Sequence, residues 1–135
     1  MVWAVAVSRD GKWVVTGSED GTARVWDAVS GRELRKLTGH SDQVWSVAVT
    51  PDGHTVYVAN TVSGTVTPIA TATNVPGVPI KVGSGPDGVA ITPDGHAVYV
   101  ANAGSGTVTP IATATNTPAA AIKVGLLPRG AGITP

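Results

Sequence analysis

Cysteine is absent from this 135-residue sequence, so it has no disulfide framework and no thiolate chemistry. Charge is scarce. Only 13% of residues are charged, and nine Lys plus Arg balance nine Asp plus Glu to a formal net charge of zero. Phosphate-backbone binding draws on an excess of Lys and Arg, and no such excess exists here. The one small basic cluster, Arg32, Arg35 and Lys36 interrupted by Glu33, reads as a solvated strand face. No apolar run approaches the ~18 residues of a membrane span. The N-terminal residues show neither a basic n-region nor an apolar h-region. The expectation is a soluble chain with no nucleic-acid or membrane partner and an unwritten address.

Val, Thr and Ala dominate, with 17 Gly and 10 Pro. β-Branched residues suit pleated, half-buried strands, and Gly and Pro punctuate turns. A register of 42 residues organises them: 51–92 laid on 93–134 without gaps gives 30 identities. Residues 2–7 fall on 44–49 at the same offset, with Asp10-Gly11, Asp52-Gly53 and Asp94-Gly95 in register. Such a period with several short strands per unit marks a propeller blade. Strands are expected at 2–8, 12–17, 22–27 and 32–37; then 44–50, 54–60, 65–71 and 78–82; then 88–92, 96–102, 107–113 and 119–124. Pro68 and Pro110 fall inside third strands, which should bend there or lose a ladder bond. The fold class is therefore all-β: about three four-stranded antiparallel meanders, with no segment keeping a helical apolar period.

Val25-Trp26-Asp27, the hairpin from Thr16 to Thr22 and the pair Gly39-His40 make residues 2–50 resemble a WD repeat. Val56-Tyr57-Val58-Ala59-Asn60 and Val98-Tyr99-Val100-Ala101-Asn102 make residues 51–135 resemble YVTN-family repeats, with Ala where that family has Thr. The domain reading is one propeller segment. Residues 1–50 hold a WD-like blade plus the next inner strand, and residues 51–135 two YVTN-like blades plus a spare inner strand. The WD resemblance implies a buried network of His, Ser or Thr, Asp and Trp, carried here by Thr16, Asp20, Trp26 and His40. His40 precedes the second blade, whose turn Thr61-Val62-Ser63-Gly64 offers no Asp, so the network is split between blades. An unpaired buried member costs about 1–3 kcal/mol, so water or a neighbour should compensate. A chain joined from two propeller lineages near residues 44–53, naturally or by design, fits this pattern.

Blades are apolar on both faces, and rings need roughly 4–8 of them. Three blades leave two faces uncovered, which points to association with copies of the same chain: a homodimer of six blades or a homotrimer of nine. Residues 130–134 read as a fourth inner strand competing with 2–8 for one slot, and 2–8 is the better strand because Gly130 and Gly132 weaken its rival.

Other motifs carry little chemistry. Residues 83–88 match G-x-G-x-x-G, but a strand rather than a helix is expected to follow. His40-Ser41-Asp42 holds triad residue types without triad geometry. His54 and His96 lie one blade apart with no convergent ligands, so neither metal nor cofactor is expected. Trp3 and Trp45 open inner strands near one rim of the tunnel, where they are candidate contact residues, with packing between blades as the alternative reading. The reading is a non-enzymatic, self-assembling segment serving at most as a scaffold for proteins or peptides, with no catalytic residues. A propeller enzyme of lyase or hydrolase type is the alternative.

Overall fold

The computed structural model describes residues 1–38, 40 and 43–132. The described residues contain no helix. β1 (Val2–Val7), β2 (Trp13–Ser18), β3 (Ala23–Asp27) and β4 (Glu33–Leu37) form a first antiparallel sheet in chain order. β5 (Val44–Val49), β6 (Thr55–Asn60), β7 (Thr65–Ala70) and β8 (Ile80–Lys81) form the second. β9 (Pro86–Ile91), β10 (Ala97–Asn102), β11 (Thr107–Ala112) and β12 (Thr117–Pro118) form the third, where β13 (Ile122–Lys123) also pairs with β11. These are three propeller blades.

The turn after each inner strand shows why the repeat folds the same way three times. Asp10, Asp52 and Asp94 each accept a 2.6 Å hydrogen bond from the hydroxyl two residues earlier, on Ser8, Thr50 and Thr92. The same carboxylates accept from the backbone N–H of Lys12, His54 and His96. The glycines that follow hold φ between 71° and 74°, open to a residue without Cβ. These hydrogen bonds hold all three carboxyl groups below their ordinary range, the hydroxyl contributing most.

Beyond one-residue shifts at most strand ends, the structure departs from the sequence expectation in three places. The third inner strand starts at Pro86 rather than residue 88, because Pro is tolerated at a strand's first position. The outer strands of blades 2 and 3 shrink to two-residue pieces. The carbonyls of Pro68 and Pro110 accept from Gly77 and Ala119, so that side of each proline, including its ring nitrogen, faces the outer strand. The missing N–H therefore breaks the outer ladder and leaves the pairing with β6 and β10 in register. Finally, residues 129–132 are described but form no strand; of the expected fourth inner strand, 133 and 134 lie outside the described residues. Gly130 nonetheless runs beside β9, where a Cβ on Gly88 would lie 2.6 Å from its Cα.

Burial follows blade order. The first core joins Val15, Ala23, Val25 and Leu37 of blade 1 to Val47, Val56, Val58 and Ile69 of blade 2. The second joins Tyr57, Ala59, Val66 and Ile80 of blade 2 to Val89, Val98, Val100 and Ile111 of blade 3. Blade 2 is thus apolar and covered on both faces, while blades 1 and 3 are each covered on one. Arg35 donates to the carbonyl of Thr71, the Val89 N–H to Ser46 Oγ at 3.0 Å, and the Tyr57 hydroxyl to Asn116 at 2.7 Å. Each of these bonds joins one blade to the next.

Candidate functional site

Trp3, Trp45 and Asp87 stand one repeat apart, each near the start of an inner strand. Each sits at a register shift: between Val2 and Ala4, between Val44 and Ser46, and between Pro86 and Gly88. They are the extra residues of three equivalent β-bulges, which free a side chain from the regular pleat and re-aim it. The Trp3 and Trp45 rings stack with centroids 4.9 Å apart and planes inclined by 14°. Such a pair adds about 0.5–1.5 kcal/mol beyond the area it buries. Arg129, one repeat after Asp87, places its Nε 3.9 Å from the Asp87 carboxylate. Its exposure makes that pair weak. One end of the inner strands thus carries an aromatic half and a charged half. The spacing of 42 was visible in the sequence, but the unlike residue types at 3, 45, 87 and 129 hid it.

The four expected network residues do not come together. Trp26 Nε1 donates to Thr16 Oγ1 at 2.9 Å, which joins β3 to β2. Asp20 turns instead to its own hairpin, accepting from the Thr22 hydroxyl at 2.6 Å, from the Thr22 N–H at 3.0 Å and from Arg24 at 3.1 Å. The Thr22 hydroxyl is the main reason its carboxyl is held below the ordinary range. His40 lies beside Asn60 of blade 2; both its ring nitrogens are buried and neither reaches hydrogen-bond geometry with a described residue, though the Asn60 side chain is near enough to favour the protonated ring. Gly39, Ser41 and Asp42 lie outside those residues.

Blades 2 and 3 use a different device, which the sequence reading missed. Asn60 and Asn102 are buried at the ends of β6 and β10. Each side-chain amide donates to two threonines of the next strand: Thr65 at 3.1 Å and Thr67 at 2.9 Å, and Thr107 and Thr109 at the same distances. The repeated Asn with Thr five and seven residues later was the available signal. Asn102→Ala is expected to cost about 1–3 kcal/mol, because it strips the amide donor from the buried Thr109 hydroxyl and leaves the Thr107 hydroxyl only its contact with Ser105. A urea midpoint equal to wild type would show the amide to be dispensable.

His40 gives a pH dependence. Burial pushes its imidazole below the ordinary value of 6.5, and the neighbouring Asn60 amide opposes that shift. The unfolded chain therefore takes up the proton first. Stability from this group is complete above about pH 6.5 and is lost as pH falls through the folded-state value. The urea midpoint should drop between pH 7.5 and pH 5, and His40→Leu should flatten that drop. The lowered aspartates act in the same direction but in a more acid window.

His54 and His96 lie on exposed turns, 3.6 and 3.4 Å from Asp52 and Asp94. No group of three or more His, Cys, Asp or Glu able to hold a metal occurs among the described residues. The glycine motif at 83–88 runs directly into β9, with no helix N-terminus to present N–H groups to phosphate.

Blades of this build, stacked face to face, define a β-propeller segment. The family model "WD domain, G-beta repeat" matches residues 1–27 and 31–67, just under half of the chain, so blade 1 and the inner strands of blade 2 are similar to WD repeats. Among curated proteins, Nuclear distribution protein PAC1 of Mycosarcoma maydis is 46% identical over 48 residues, covering 36% of this chain and 11% of that protein. Dynein assembly factor with WD repeat domains 1 of Mus musculus is 46% identical over 44 residues, covering 33% of this chain and 11% of its own length. The chain thus spans about a tenth of the curated relatives it matches. Among solved structures, hydrazine synthase of Kuenenia stuttgartiensis superposes with a TM-score of 0.90 at 27% identity, over 96% of this chain and 38% of that one. U3-55K superposes with a TM-score of 0.82 at 18% identity, over 90% of this chain and 39% of that one, a likeness of fold alone.

Proposed function

We propose that this chain is a non-enzymatic scaffold segment whose copies associate to close a propeller ring, six blades as a dimer or nine as a trimer. One observation carries the reading. Val5, Val47 and Val89 are equivalent inner-strand positions, exposed by 63%, 5% and 7% respectively. Ile80 and Ile122 are equivalent outer-strand positions, exposed by 5% and 50%. The same residue is buried where a blade follows or precedes it and open where none does, so each end presents a face built to be covered. Native mass spectrometry of the 135-residue polypeptide should give two or three copies. A monomer at tens of micromolar would leave those faces to be covered by other blades and would sink self-association.

The scaffold role draws on WD-repeat relatives named for dynein assembly and nuclear distribution. Its contact surface is assigned to the bulged rim, with Trp3 and Trp45 as aromatic anchors for a protein or peptide. Trp45→Ala should lower retention on a peptide array by about tenfold or more, the scale of an interface hot spot. Equal retention would move the contact elsewhere. For a hybrid origin the supporting feature is the near-identity of blades 2 and 3, while the WD match runs on to residue 67, past the junction expected near residues 44–53 and across the Val56–Asn60 segment. The alternative, an enzymatic role, would draw on the likeness to hydrazine synthase alone; Asp52 and Asp94, the carboxylates beside His54 and His96, are already engaged in capping their own turns.

A further inference from the structure

We propose that the ring closes head to tail: the open face of blade 1 in one copy seats on the open face of blade 3 in a second copy, repeating the contact between blades 2 and 3. The inference rests on the self-association reading and specifies its interface. Blade 2 offers blade 3 a socket of Tyr57, Ala59, Val66 and Ile80. Blade 3 carries the same four residue types in the same places, Tyr99, Ala101, Val108 and Ile122, with no further blade upon them; Ile122 is half exposed and Tyr99 and Val108 partly so, while Ala101 is already covered.

The filling side matches as well. Val89, Val98, Val100 and Ile111 fill the internal socket. By register, their equivalents in blade 1 are Val5, Val14, Thr16 and Trp26. Two are unchanged and Thr has nearly the volume of Val, so only Trp26 is larger than its counterpart. The two new polar atoms meet each other, because the Trp26 indole N–H is bonded to the Thr16 hydroxyl. Burial of that pair therefore leaves the indole N–H satisfied, and only the Thr16 hydroxyl hydrogen needs an acceptor. The larger indole meets an outer strand reduced to the pieces β12 and β13 rather than a full ladder.

The lane beside β9 completes the fit. Gly130 now occupies it, against a Gly88 whose Cβ would collide with it. At a seam between copies, β1 takes that lane, with Ala4 in the place of Gly130, and residues 129–132 move aside. The only ion pair holding them among the described residues is the weak Arg129–Asp87 contact. β1 is a regular six-residue strand, whereas residues 129–132 have none of its pairing.

Two variants and their mixture test the seam. Val5→Asp and Ile122→Asp alter exposed residues, so each should fold yet run as a monomer in sedimentation velocity. Each retains one intact face, so an equimolar mixture should form a two-copy complex containing one of each, identified by mass. If Val5→Asp dissociates while Ile122→Asp keeps the wild-type mass, the blade 1 faces pair with themselves and the head-to-tail seam is wrong. A mixture that stays monomeric overturns it too. Should Ile122→Asp fail to fold, Tyr99→Lys charges the same face. A monomeric wild type would remove self-association itself, an outcome distinct from an oligomer indifferent to Ile122.

Discussion

Alanine in place of Tyr57 is expected to cost about 3–5 kcal/mol of folding stability, the range of large truncations in closed cores. Tyr57 is almost wholly buried between blades 2 and 3, and its hydroxyl reaches Asn116 at 2.7 Å. Burial also pushes its phenol above the ordinary value, so the ring stays neutral and donating. The truncation removes a ring from a seam lined by Val89, Val98 and Ile111 and leaves the Asn116 carbonyl without this donor. Tyr99→Ala is the matched control, because the same residue in blade 3 faces no further blade. Its midpoint at low protein concentration should move by less than a third as much, while association weakens. Equal destabilisation of the isolated chain by both substitutions would contradict the difference between covered and open faces.

Valine at Gly17 is expected to cost about 1–3 kcal/mol or more, through overpacking rather than a cavity. Gly17 sits on β2 where blade 1 meets blade 2. A Cβ there would lie 2.6 Å from Val44 Cγ1 and 3.0 Å from the Val44 carbonyl oxygen. A β-branched side chain and a backbone atom have little freedom to retreat. Gly17→Val should therefore separate blade 1 from blade 2 or shift both, and hydrogen exchange should rise in β2 and β5 before β10. Unchanged exchange would show that the first seam has more room than its geometry indicates.

Most of the architecture was legible because it rests on local chemistry repeated at a fixed spacing. Asp-Gly turns, alternating Val and the 42-residue offset together locate the inner three strands of each blade. What was not legible depends on which way a bond points. Pro68 announces a disturbance, but only the bond from the Gly77 N–H to the Pro68 carbonyl shows that the missing N–H faces outward. The bulges that present Trp3, Trp45 and Asp87 follow from one residue too many opposite Ser18, Asn60 and Asn102, which no periodicity reveals. The WD resemblance led toward a four-member network. The structure instead joins Thr16 to Trp26, and blades 2 and 3 use an amide and two hydroxyls. Asn60 and Asn102 were read as marks of a family rather than as donors.

The broken outer strands also bear on what happens at the perimeter. A ring with sealed blade faces still has an outside edge on every blade, and an unpaired edge is a template for another sheet. Blade 1 guards its edge with the exposed Glu33 and Lys36 along β4, so an incoming strand meets charge. Blades 2 and 3 have only Lys81 and Lys123 in their outer strands, and there Pro68 and Pro110 keep the edge too short to copy. In a ring closed as proposed, association would be confined to the blade faces, because the described residues offer no continuous outer edge from which sideways stacking into fibres could start.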